Sequence, residues 1–492
     1  MKRILLLATT TGYQTRAFGD AASRLGVELV FATDRCHLIE DPWQDHAIPI
    51  RFYDEDSSVA AILESAAVRP IDGLIAVGDR PTVIAARVAE RLGLRWHPPD
   101  AAAAARHKLL SRERLRDAGL PVPWFLPVAI DDEPSALSPE PSALNPQSAA
   151  LSPELSALSP QSAVFSRELS ALSPEPVTYP CVVKPVALSG SRGVMRADDA
   201  DGLAAAFARL RTLMHQPEVR AERDEAHATA LIEGFISGRE YALEGLMTAG
   251  RLQTLAVFDK PDPLDGPFFE ETIYLTPSSA GDEVQRAIEE GVGRAAAALG
   301  LQHGPIHAEC RVDASTGSGQ APRVFVLEVA ARPIGGLCAR ALRFGVRSRV
   351  SRPVGHSPTN RETRDLTPTS LEELLLRHAL GEDSTTYVRE ESASGVMMIP
   401  IPRRGIFRRA DGVDEARSVP GVDDIQITAK PDQRLVPLPE GASYLGFIFA
   451  RAASAGEVDR ALRAAHDRLV FTIDSEWPVL AVGDVHYNQQ HG

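Results

Sequence analysis

The first hundred residues alternate short apolar runs with segments of helical periodicity. The apolar runs have the length of strands and lie at residues 3–8, 28–33 and 73–77. Strands that alternate with helices are typical of a parallel sheet with right-handed crossover connections. Residues 1–100 are therefore predicted to form an N-terminal α/β domain. The turn after the first run contains no GxGxxG, which excludes the usual dinucleotide-binding fingerprint.

The hydrophobic pattern changes after residue 176, where strand-like runs follow one another with few helical segments between them. These runs lie at residues 181–186, 231–236, 240–247, 252–258, 305–312 and 324–329. Neighbouring strands without intervening helices favour an antiparallel sheet. An amphipathic helix is predicted over 282–299, and from residue 395 short strands lead to a helix predicted over 457–469. The fold class predicted for the chain is α/β followed by α+β.

A connecting segment and two irregular stretches complete the pattern. A single helix is predicted over residues 101–118, and Gly119 and Pro121 end it. Residues 131–176 repeat an apolar triplet with a period of seven, and five of the six units contain a proline. Each proline would cost a helix about 3 kcal/mol, so we predict a disordered insertion rather than a coiled coil. An irregular loop is predicted at 346–369.

The composition is that of a globular protein and excludes several classes. Hydrophobic residues make up 44% and charged residues 24% of the 492 positions, as in ordinary globular domains. The four cysteines lie far apart, so neither a disulfide scaffold nor a zinc site is expected. The net charge of −14 argues against non-specific binding of nucleic acid. No run of 18 apolar residues exists and the first apolar run is short, so we expect a cytoplasmic protein without membrane contact.

Lysine is rare in this chain, since only five of the 52 basic residues are lysine. One of them, Lys184, ends an apolar strand directly before a loop rich in glycine and serine. Glycine lets backbone N–H groups approach an anion, and the ammonium adds charge, which suits the phosphates of a nucleotide. The alternative is a solvated hairpin with a surface lysine. The loop is not GxxxxGK[ST], so a Walker-type P-loop is excluded.

A second candidate segment for nucleotide binding lies where the strand at 231–236 ends. Glu233 precedes a backbone stretch that can hydrogen-bond an adenine edge, and Glu240 can accept from ribose hydroxyl groups. The alternative is a pair of exposed carboxylates at the end of a strand.

Two further carboxylates are expected to meet across a hairpin. Glu309 and Glu328 lie on predicted strands that flank a glycine-rich turn. Adjacent carboxylates repel unless a cation lies between them, and their hard oxygens suit Mg²⁺, which also binds nucleotide phosphates. Arg332 follows at the end of the second strand, where a guanidinium can stabilise a phosphoryl group in transfer. The alternative is a buried Glu–Arg pair.

In this order, these segments resemble the ATP-grasp superfamily over nearly the whole chain outside the two irregular stretches. The resemblance implies an ATP-grasp fold that uses ATP and Mg²⁺, or Mn²⁺, as cofactors. It also implies a two-part nucleotide-binding domain with antiparallel sheets. The implied parts are a linking helix and first strand at 101–130, a lid subdomain at 177–245, a catalytic subdomain at 246–345 and a β-rich C-terminal subdomain at 370–480.

The same resemblance implies roles for individual residues. Those implied to bind the nucleotide are Lys108, Lys184, Gly190, Ser191, Arg192, Gly193, Glu233, Gly234, Phe235, Ile236 and Glu240. Glu309 and Glu328 correspond to the metal ligands, and Arg332 and Lys184 to the catalytic residues. The family often has Asn two residues after the second metal carboxylate, where this chain has Ala330. A third ligand and a second metal ion are therefore not implied.

Within the superfamily, residues 259–272, 304–309 and 332–336 resemble bacterial L-amino acid ligases, which form dipeptides. This resemblance implies that Glu271 faces a substrate ammonium; the alternative is an exposed acidic turn. The residues implied to line the substrate pocket are His307, Arg332, Pro333, Ile334 and Gly335.

The implied function is an ATP- and Mg²⁺-dependent ligase that joins a carboxylate to an amine through an acylphosphate, with L-amino acids as expected substrates. The expected partners are small-molecule carboxylates and amines, and since such folds often dimerise, a homodimer is allowed. One alternative is another ATP-grasp reaction, such as a carboxylation resembling that of biotin carboxylase. The other is a degenerate nucleotide-binding scaffold, which Ala330 alone supports.

Overall fold

The computed structural model describes residues 1–9, 12–34, 47–131, 177–313, 322–346 and 368–476. The predicted insertion and the predicted irregular loop lie outside the described residues, except at their ends. Among the described residues, no helix combines the length and the apolar character needed to cross a membrane.

The N-terminal domain is built on four strands, which are the three that the apolar runs predict and one short strand that they do not. Its elements are β1 (Arg3–Ala8), α1 (Gly12–Leu25), β2 (Glu28–Asp34), β3 (Ile48–Ile50), α2 (Glu55–Val68), β4 (Gly73–Val77) and α3 (Pro81–Leu92). The sheet is parallel, with the order β3-β2-β1-β4. β1 and β4 are almost wholly buried, which is why they are continuous apolar runs. Because the chain leaves β1 toward β2 and returns to β4 on the other side, a crevice forms at the carboxyl ends of β1 and β4.

The predicted single helix at 101–118 is wrong, because the chain breaks at His107. Two helices form instead, α4 (Pro99–Arg106) and α5 (Lys108–Asp117). His107 has extended backbone, and its ring accepts the Leu110 N–H at 3.3 Å as a cap for α5. The Lys108 N–H donates to Val186 O at 3.0 Å instead of to a helical carbonyl. This tertiary bond places the start of α5 beside the loop that follows Lys184.

The lid subdomain is a four-stranded antiparallel sheet covered by one long helix. Its elements are β5 (Phe125–Ala129), β6 (Cys181–Pro185), β7 (Met195–Ala197), α6 (Ala200–Met214), α7 (Pro217–Arg220), a 3-10 turn (Glu225–Ala228) and β8 (Thr229–Gly234). The strand order is β5-β8-β6-β7. β8 lies between β5 and β6 and is antiparallel to both, so β5 and β6 run parallel to each other.

Replacement of residues 132–176 by a short linker is expected to leave folding and activity intact. β5 ends opposite Thr229 and β6 begins opposite Gly234, at the two ends of β8. The linker must therefore span about five residues along a strand and two strand spacings across the sheet, roughly 20 Å. A flexible linker of about ten residues has a root-mean-square span of ~18 Å. Melting temperature and turnover are measured for the shortened chain and the full chain. A clear decrease in either would show that the insertion supports the lid.

The rest of the described chain forms an eight-stranded antiparallel sheet, with two small three-stranded sheets beside it. The first elements of this part are β9 (Arg239–Thr248), β10 (Arg251–Asp259), β11 (Ile273–Thr276), α8 (Asp282–Leu299), β12 (Gly304–Asp313), β13 (Arg323–Ala330), a 3-10 turn (Cys338–Ala341) and β14 (Arg343–Val346). The later elements are β15 (Thr369–Ser370), α9 (Leu371–Ala379), β16 (Tyr387–Arg389), β17 (Ala393–Ile399), β18 (Gly405–Asp411), α10 (Val413–Arg417), β19 (Val422–Ile427), β20 (Arg434–Leu435), β21 (Gly446–Ala452), α11 (Ala455–His466) and β22 (Val470–Asp474). The small sheets have the orders β15-β14-β16 and β20-β18-β22, and the order in the large sheet is β13-β12-β9-β10-β11-β17-β21-β19.

This sheet corrects two of the predicted domain boundaries. The boundary between residues 245 and 246 falls inside β9, so the catalytic sheet begins at Arg239. The C-terminal subdomain predicted at 370–480 is not separate, because β17, β19 and β21 extend the same sheet. The four-residue strand β11, absent from the sequence prediction, pairs with both β10 and β17 and joins the two parts. α11 begins at Ala455 because Ser454 and Glu457 form a capping box.

Three buried histidines lie where the segment after α3 meets the start of β12 and α9. His97 accepts the Gln302 N–H through Nδ1 at 3.2 Å and donates from Nε2 to Pro305 O at 3.2 Å. The rings of His303 and His378 stack with their centroids 4.2 Å apart. Burial lowers the pKa of His97 and of His303 to about 4 and that of His378 to about 3. All three rings are therefore neutral at pH 7.

Candidate active site

A cleft of about 700 Å³ lies between the N-terminal domain, the lid and the large sheet. Its walls come from the carboxyl ends of β1 and β4, the loop after β6, strands β12 and β13, and the segment between β20 and β21. Every predicted site residue except Gly193 and Pro333 lines this cleft. The fold thus brings together residues that are far apart in the sequence.

The predicted contributions of Gly193 and Pro333 to the cleft are corrected. Gly193 packs beneath its loop, where its N–H donates to Pro439 O at 2.8 Å and a Cβ would lie 2.9 Å from Leu210. Pro333 borders a smaller cavity on the other side of its turn, beside α1. Its carbonyl accepts a hydrogen bond from Arg332 Nη1 at 3.1 Å. Both residues therefore shape the backbone of the cleft wall.

Lys184 and Glu233 form a buried group of charges with Arg112 at one end of the cleft. The Lys184 ammonium donates to Glu233 Oε1. Arg112 donates to both oxygens of Glu233, from Nε at 2.8 Å and from Nη2 at 3.2 Å, and also to Leu327 O at 2.9 Å. The side chains of Lys184 and Glu233 are 8% and 5% exposed. The alternatives of a surface lysine and an exposed carboxylate are therefore wrong for these two residues.

Burial has the largest influence on the pKa of both Lys184 and Glu233. It lowers the pKa of Lys184 to about 8, against the opposing effect of Glu233. Burial alone would raise the pKa of Glu233, but Arg112 and Lys184 outweigh it and hold that pKa at about 2. The three groups together carry one positive charge at pH 7. A fixed positive charge in a cleft wall suits a nucleotide phosphate.

The backbone at residues 233–236, predicted to hydrogen-bond an adenine edge, has fewer free N–H donors than the sequence suggests. The Gly234 N–H donates to Trp124 O and the Phe235 N–H to Pro180 O, both at 3.0 Å. Within the described residues, this leaves the Ile236 N–H as the one donor of residues 234–236 that is not used inside the protein. A Cβ on Gly234 would lie 2.7 Å from Trp124 Nε1, so the position requires glycine. Binding of adenine at Ile236 stays a prediction.

The predicted phosphate loop at residues 190–193 is attached to the segment between β20 and β21. Arg192 Nε donates to Glu440 O at 2.8 Å. The Glu440 carboxylate accepts from Nε and Nη2 of Arg209, at 2.5 and 3.0 Å. Gly190 and Ser191 adopt left-handed backbone, with φ of 65° and 55°, and line the cleft. The loop therefore has its tip in the cleft and its base bound to a C-terminal segment.

Lys260 lies among three carboxylates in the cleft wall. Its Nζ is 2.7 Å from Glu240 and 3.5 Å from Glu309, and it also donates to Glu271. Oxygens of the three glutamates come within 4.8 Å of one another. Burial would lower the pKa of Lys260, but the carboxylates raise it well above its usual value. The ammonium therefore stabilises three carboxylates that would otherwise repel one another.

Glu240, predicted to bind ribose, is buried and has a partner on each oxygen. Lys260 donates to Oε1 at 2.7 Å, and Arg311 Nε donates to Oε2 at 3.0 Å. The alternative of an exposed carboxylate is therefore wrong here as well. Because each carboxylate oxygen has a second lone pair, a ribose hydroxyl can still be accepted, and this role stays a prediction.

Glu309 and Glu328 face each other across β12 and β13, as the predicted hairpin requires. The two residues are paired in register. Glu309 Oε1 is 3.8 Å from His307 Nε2, and Glu328 Oε2 is 3.7 Å from Lys108 Nζ. Carboxylate oxygens in this arrangement are ligands that fit Mg²⁺ or Mn²⁺.

Glu271 and His307, both predicted to contact substrate, have buried partners. Glu271 accepts from Lys260 and, at 2.8 Å, from the Tyr274 hydroxyl, so the alternative of an exposed acidic turn is wrong. Its role toward a substrate ammonium stays a prediction. His307 Nδ1 lies 3.1 Å from Glu244. Burial would lower the pKa of His307, but hydrogen bonds to carboxylates, that of Glu244 foremost, raise it to about 9.

The turn at residues 332–336 carries the predicted catalytic arginine. Arg332 donates to Asp79 from Nε at 2.8 Å and from Nη2 at 3.2 Å. Its partner is thus an aspartate of the N-terminal domain, and the alternative of a buried Glu–Arg pair is wrong. The Ile334 N–H donates to Glu244 at 3.1 Å. Arg332, Ile334 and Gly335 line the cleft, as predicted.

Five residues that line the cleft or bond to its lining are absent from the predicted site. Asp79 and Tyr274 line the cleft. Arg112, Glu244 and Lys260 lie behind it and bond to Glu233, His307 and Glu240. Lys260 offered a signal in the sequence, because lysine is so rare in this chain. Glu244 offered another, since a carboxylate inside an otherwise apolar strand needs a buried partner. Asp79 and Arg112 lie in a loop and a polar helix, where charged residues are ordinary.

Family models match three parts of the chain. Residues 177–341 match the ATP-grasp domain, residues 19–95 the ATP-grasp N-terminal domain, and residues 397–474 the L-amino acid ligase C-terminal domain 2. The crystal structure of L-amino acid ligase from Bacillus licheniformis superposes with a TM-score of 0.71 at 23% identity. That superposition covers 96% of this chain and 99% of the other.

Curated relatives match only part of the chain. An uncharacterized protein of Sinorhizobium fredii is 25% identical over 316 residues, which are 63% of this chain and 56% of the relative. Alanine–anticapsin ligase of Bacillus amyloliquefaciens is 26% identical over 149 residues, 27% of this chain and 30% of the relative. The chain thus spans about half the length of the first relative and less of the second. With the three family matches and the fold, these findings identify the chain as a member of the ATP-grasp superfamily that resembles the L-amino acid ligases.

Proposed function

We propose that this protein is an ATP- and Mg²⁺-dependent carboxylate–amine ligase that joins L-amino acids through an acylphosphate. The observation that carries the proposal is the presence in one cleft of Lys184, the facing pair Glu309 and Glu328, and Arg332. They supply charge for nucleotide phosphates, oxygens for a divalent cation and a guanidinium for the reacting group. The names of the relatives, an L-amino acid ligase and alanine–anticapsin ligase, support amino acids as substrates.

A divalent metal ion fits the residues on β12 and β13. Glu309 and Glu328 would hold it, because a cation between their oxygens removes the repulsion of two carboxylates in register. Ala330 provides no further side-chain ligand. When bound, the metal neutralises phosphate oxygens and makes the γ-phosphorus easier to attack.

Lys184 and Lys108 are proposed to bind the nucleotide phosphates. The Lys108 ammonium donates to Leu188 O at 2.6 Å, within the loop that leads to Gly190 and Ser191. Both lysines and the loop tip therefore lie together. In the first step, an oxygen of the substrate carboxylate attacks the γ-phosphorus and the bond to the ADP oxygen breaks. Arg332 stabilises the charge on the transferred group as the acylphosphate forms.

In the second step, the amine attacks the acyl carbon of the acylphosphate. A tetrahedral intermediate forms, and its oxyanion is stabilised by Arg332. Phosphate leaves as the C–O bond breaks, the nitrogen loses a proton, and the products are an amide, ADP and phosphate. The His307 imidazolium adds a second positive charge at this end of the cleft. The protein contributes position and charge, without a covalent intermediate of its own.

A screen for phosphate release tests the proposal. The protein is incubated with ATP, Mg²⁺ and L-amino acids, singly and in pairs, and dipeptides are identified by mass spectrometry. Release that depends on particular pairs is expected. A preparation that binds ATP but releases no phosphate with any amino acid contradicts the proposal and favours the scaffold alternative, whereas release that requires bicarbonate favours a carboxylase.

Glu309→Gln and Glu328→Gln are each expected to lower metal-dependent turnover by about 10²-fold, because a metal ion contributes several kcal/mol of charge stabilisation. Binding of ADP without metal should change far less, since the lysines that are proposed to bind its phosphates are unchanged. Turnover against Mg²⁺ concentration and calorimetric titration of ADP measure the two effects. The exposed Glu415→Gln variant is the control. Equal losses in turnover and in metal-free ADP binding would assign the pair to the nucleotide instead.

A further inference from the structure

The bond between Arg332 and Asp79 connects the predicted catalytic arginine to the N-terminal domain. Asp79 lies two residues beyond the end of β4, in the crevice between the carboxyl ends of β1 and β4. The side chains of Arg332 and Asp79 are 11% and 15% exposed, so the pair is largely shielded from water. A bidentate pair fixes the plane of a guanidinium as well as its position.

The hydrogen bonds of Arg332 leave a defined edge of the guanidinium free. Within the described residues, Nε and Nη2 donate to Asp79 and Nη1 donates to Pro333 O, which uses three of the five N–H groups. One N–H on Nη1 and one on Nη2 remain. Asp79 covers the edge formed by Nε and Nη2, which leaves the edge formed by Nη1 and Nη2 toward an oxyanion. The bond to Asp79 thus selects which edge of Arg332 is available.

Asp79 is itself held in place by the start of α3. Its carbonyl accepts from the Thr82 hydroxyl at 2.7 Å and from the Thr82 N–H at 3.2 Å. Gly78 before it has a φ of 88°, which favours glycine and turns the chain out of β4. Burial alone would raise the pKa of Asp79, but the charge and hydrogen bonds of Arg332, together with the charges of Lys108 and Arg106, lower it. The carboxylate is therefore charged and has a fixed backbone position.

Two further bonds hold the turn at residues 332–336 from other sides. Gln14, on α1, donates from Nε2 to Gly336 O at 2.8 Å. From the large sheet, Glu244 accepts the Ile334 N–H at 3.1 Å. The N-terminal domain thus binds the first and last residues of the turn, and the sheet binds its centre.

We propose that Asp79 is a positioning residue that aims the free edge of Arg332 at the reacting group, so that the N-terminal domain completes the catalytic site. This inference rests on the proposed ligase function. Asp79 acts through Arg332 and does not touch the reacting atoms. Gln14 has the same role for the other end of the turn, by a single neutral hydrogen bond.

The variant Asp79→Asn tests the proposal, because it keeps the size of the side chain and removes the charge and one acceptor. A displaced guanidinium is expected to lower kcat by about 10²-fold, as small errors in alignment do. The KM for ATP should stay within about twofold, since the lysines and the loop are unchanged. Arg24→Gln is the matched control, because Arg24 pairs with Glu373 between α1 and α9 outside the cleft.

A double-mutant cycle separates positioning from stability. In an Arg332→Met background, Asp79→Asn is expected to leave kcat unchanged, because the residue through which Asp79 acts is gone. Additive losses would overturn the proposal, and so would wild-type kcat in Asp79→Asn with only the melting temperature lowered. If Asp79→Asn does not fold, Gln14→Ala replaces it, with a smaller fall in kcat expected and an unchanged kcat contradicting the proposal. A wild-type protein without amino-acid-dependent turnover refutes the proposed function instead.

Discussion

Arg332→Lys is expected to lower kcat by about 10²–10³-fold while ATP binds as tightly as in the wild type, because one catalytic donor has a value of this order. Lysine keeps the charge but has no planar fork. It cannot bind Asp79 through two parallel bonds and still present two donors to an oxyanion. The loss should therefore affect kcat far more than the affinity for ATP, as measured by steady-state kinetics and calorimetry.

The control for Arg332→Lys is a paired arginine outside the cleft. Arg340 binds Asp424 at 2.8 Å on the surface, and Arg340→Lys should leave turnover unchanged. If the pair of Arg332 with Asp79 were only structural, Arg332→Lys would lower the melting temperature and leave turnover per folded molecule as it was. Melting temperature and kcat measured on the same preparations decide between these outcomes.

Lys184→Ala is expected to weaken ADP binding by about 10- to 100-fold, which corresponds to ~1.5–3 kcal/mol for a hydrogen bond to a charged group. The variant removes the net positive charge of the group that Lys184 forms with Glu233 and Arg112. Glu233 keeps both bonds from Arg112, so the fold should survive. Calorimetric titration of ADP measures the effect, and the exposed Lys430→Ala variant is the control. Affinity within twofold of the wild type would remove Lys184 from the nucleotide site.

A pH series sharpens the test of Lys184. Burial lowers the pKa of this lysine to about 8, so its ammonium loses a proton as the pH rises from 7 to 9. The affinity for ADP should then fall by roughly tenfold over this range, because about a tenth of the lysine stays charged one pH unit above its pKa. Lys184→Arg keeps its charge throughout and should show no such decline. The same decline in the wild type and in Lys184→Arg would assign the pH dependence to another group.

The parts of the site that local pattern could predict are those that adjacent strands bring together. Glu309 and Glu328 meet because two apolar runs flank a glycine-rich turn, and a hairpin pairs such runs in register. The pattern predicts Lys184 and Glu233 separately, each near the end of an apolar run, and their contact across the antiparallel strands β6 and β8 was not predicted. A short-range rule was therefore enough for Glu309 and Glu328 but not for this contact.

The rest depended on contacts between distant segments. The break at His107 follows from a hydrogen bond to Val186, which no property of an alanine-rich stretch can reveal. The partner of Arg332 lies 253 positions away in another domain. The strand β11 has four residues and no alternation, so only its pairing with β10 and β17 makes it a strand. Tertiary pairing overrides local propensity at such positions.

The three neutral histidines, His97, His303 and His378, make the junction beside β12 sensitive to acid. In the unfolded chain their pKa is about 6.5, whereas the folded values are about 4, 4 and 3. Between these values the unfolded chain binds more protons, so the free energy of unfolding must decrease as the pH falls from about 6.5 toward 4. A proton on Nδ1 of His97 would also displace the N–H of Gln302. Mild acid should therefore loosen the joint between the N-terminal domain and the sheet, and with it the wall of the cleft that carries Asp79.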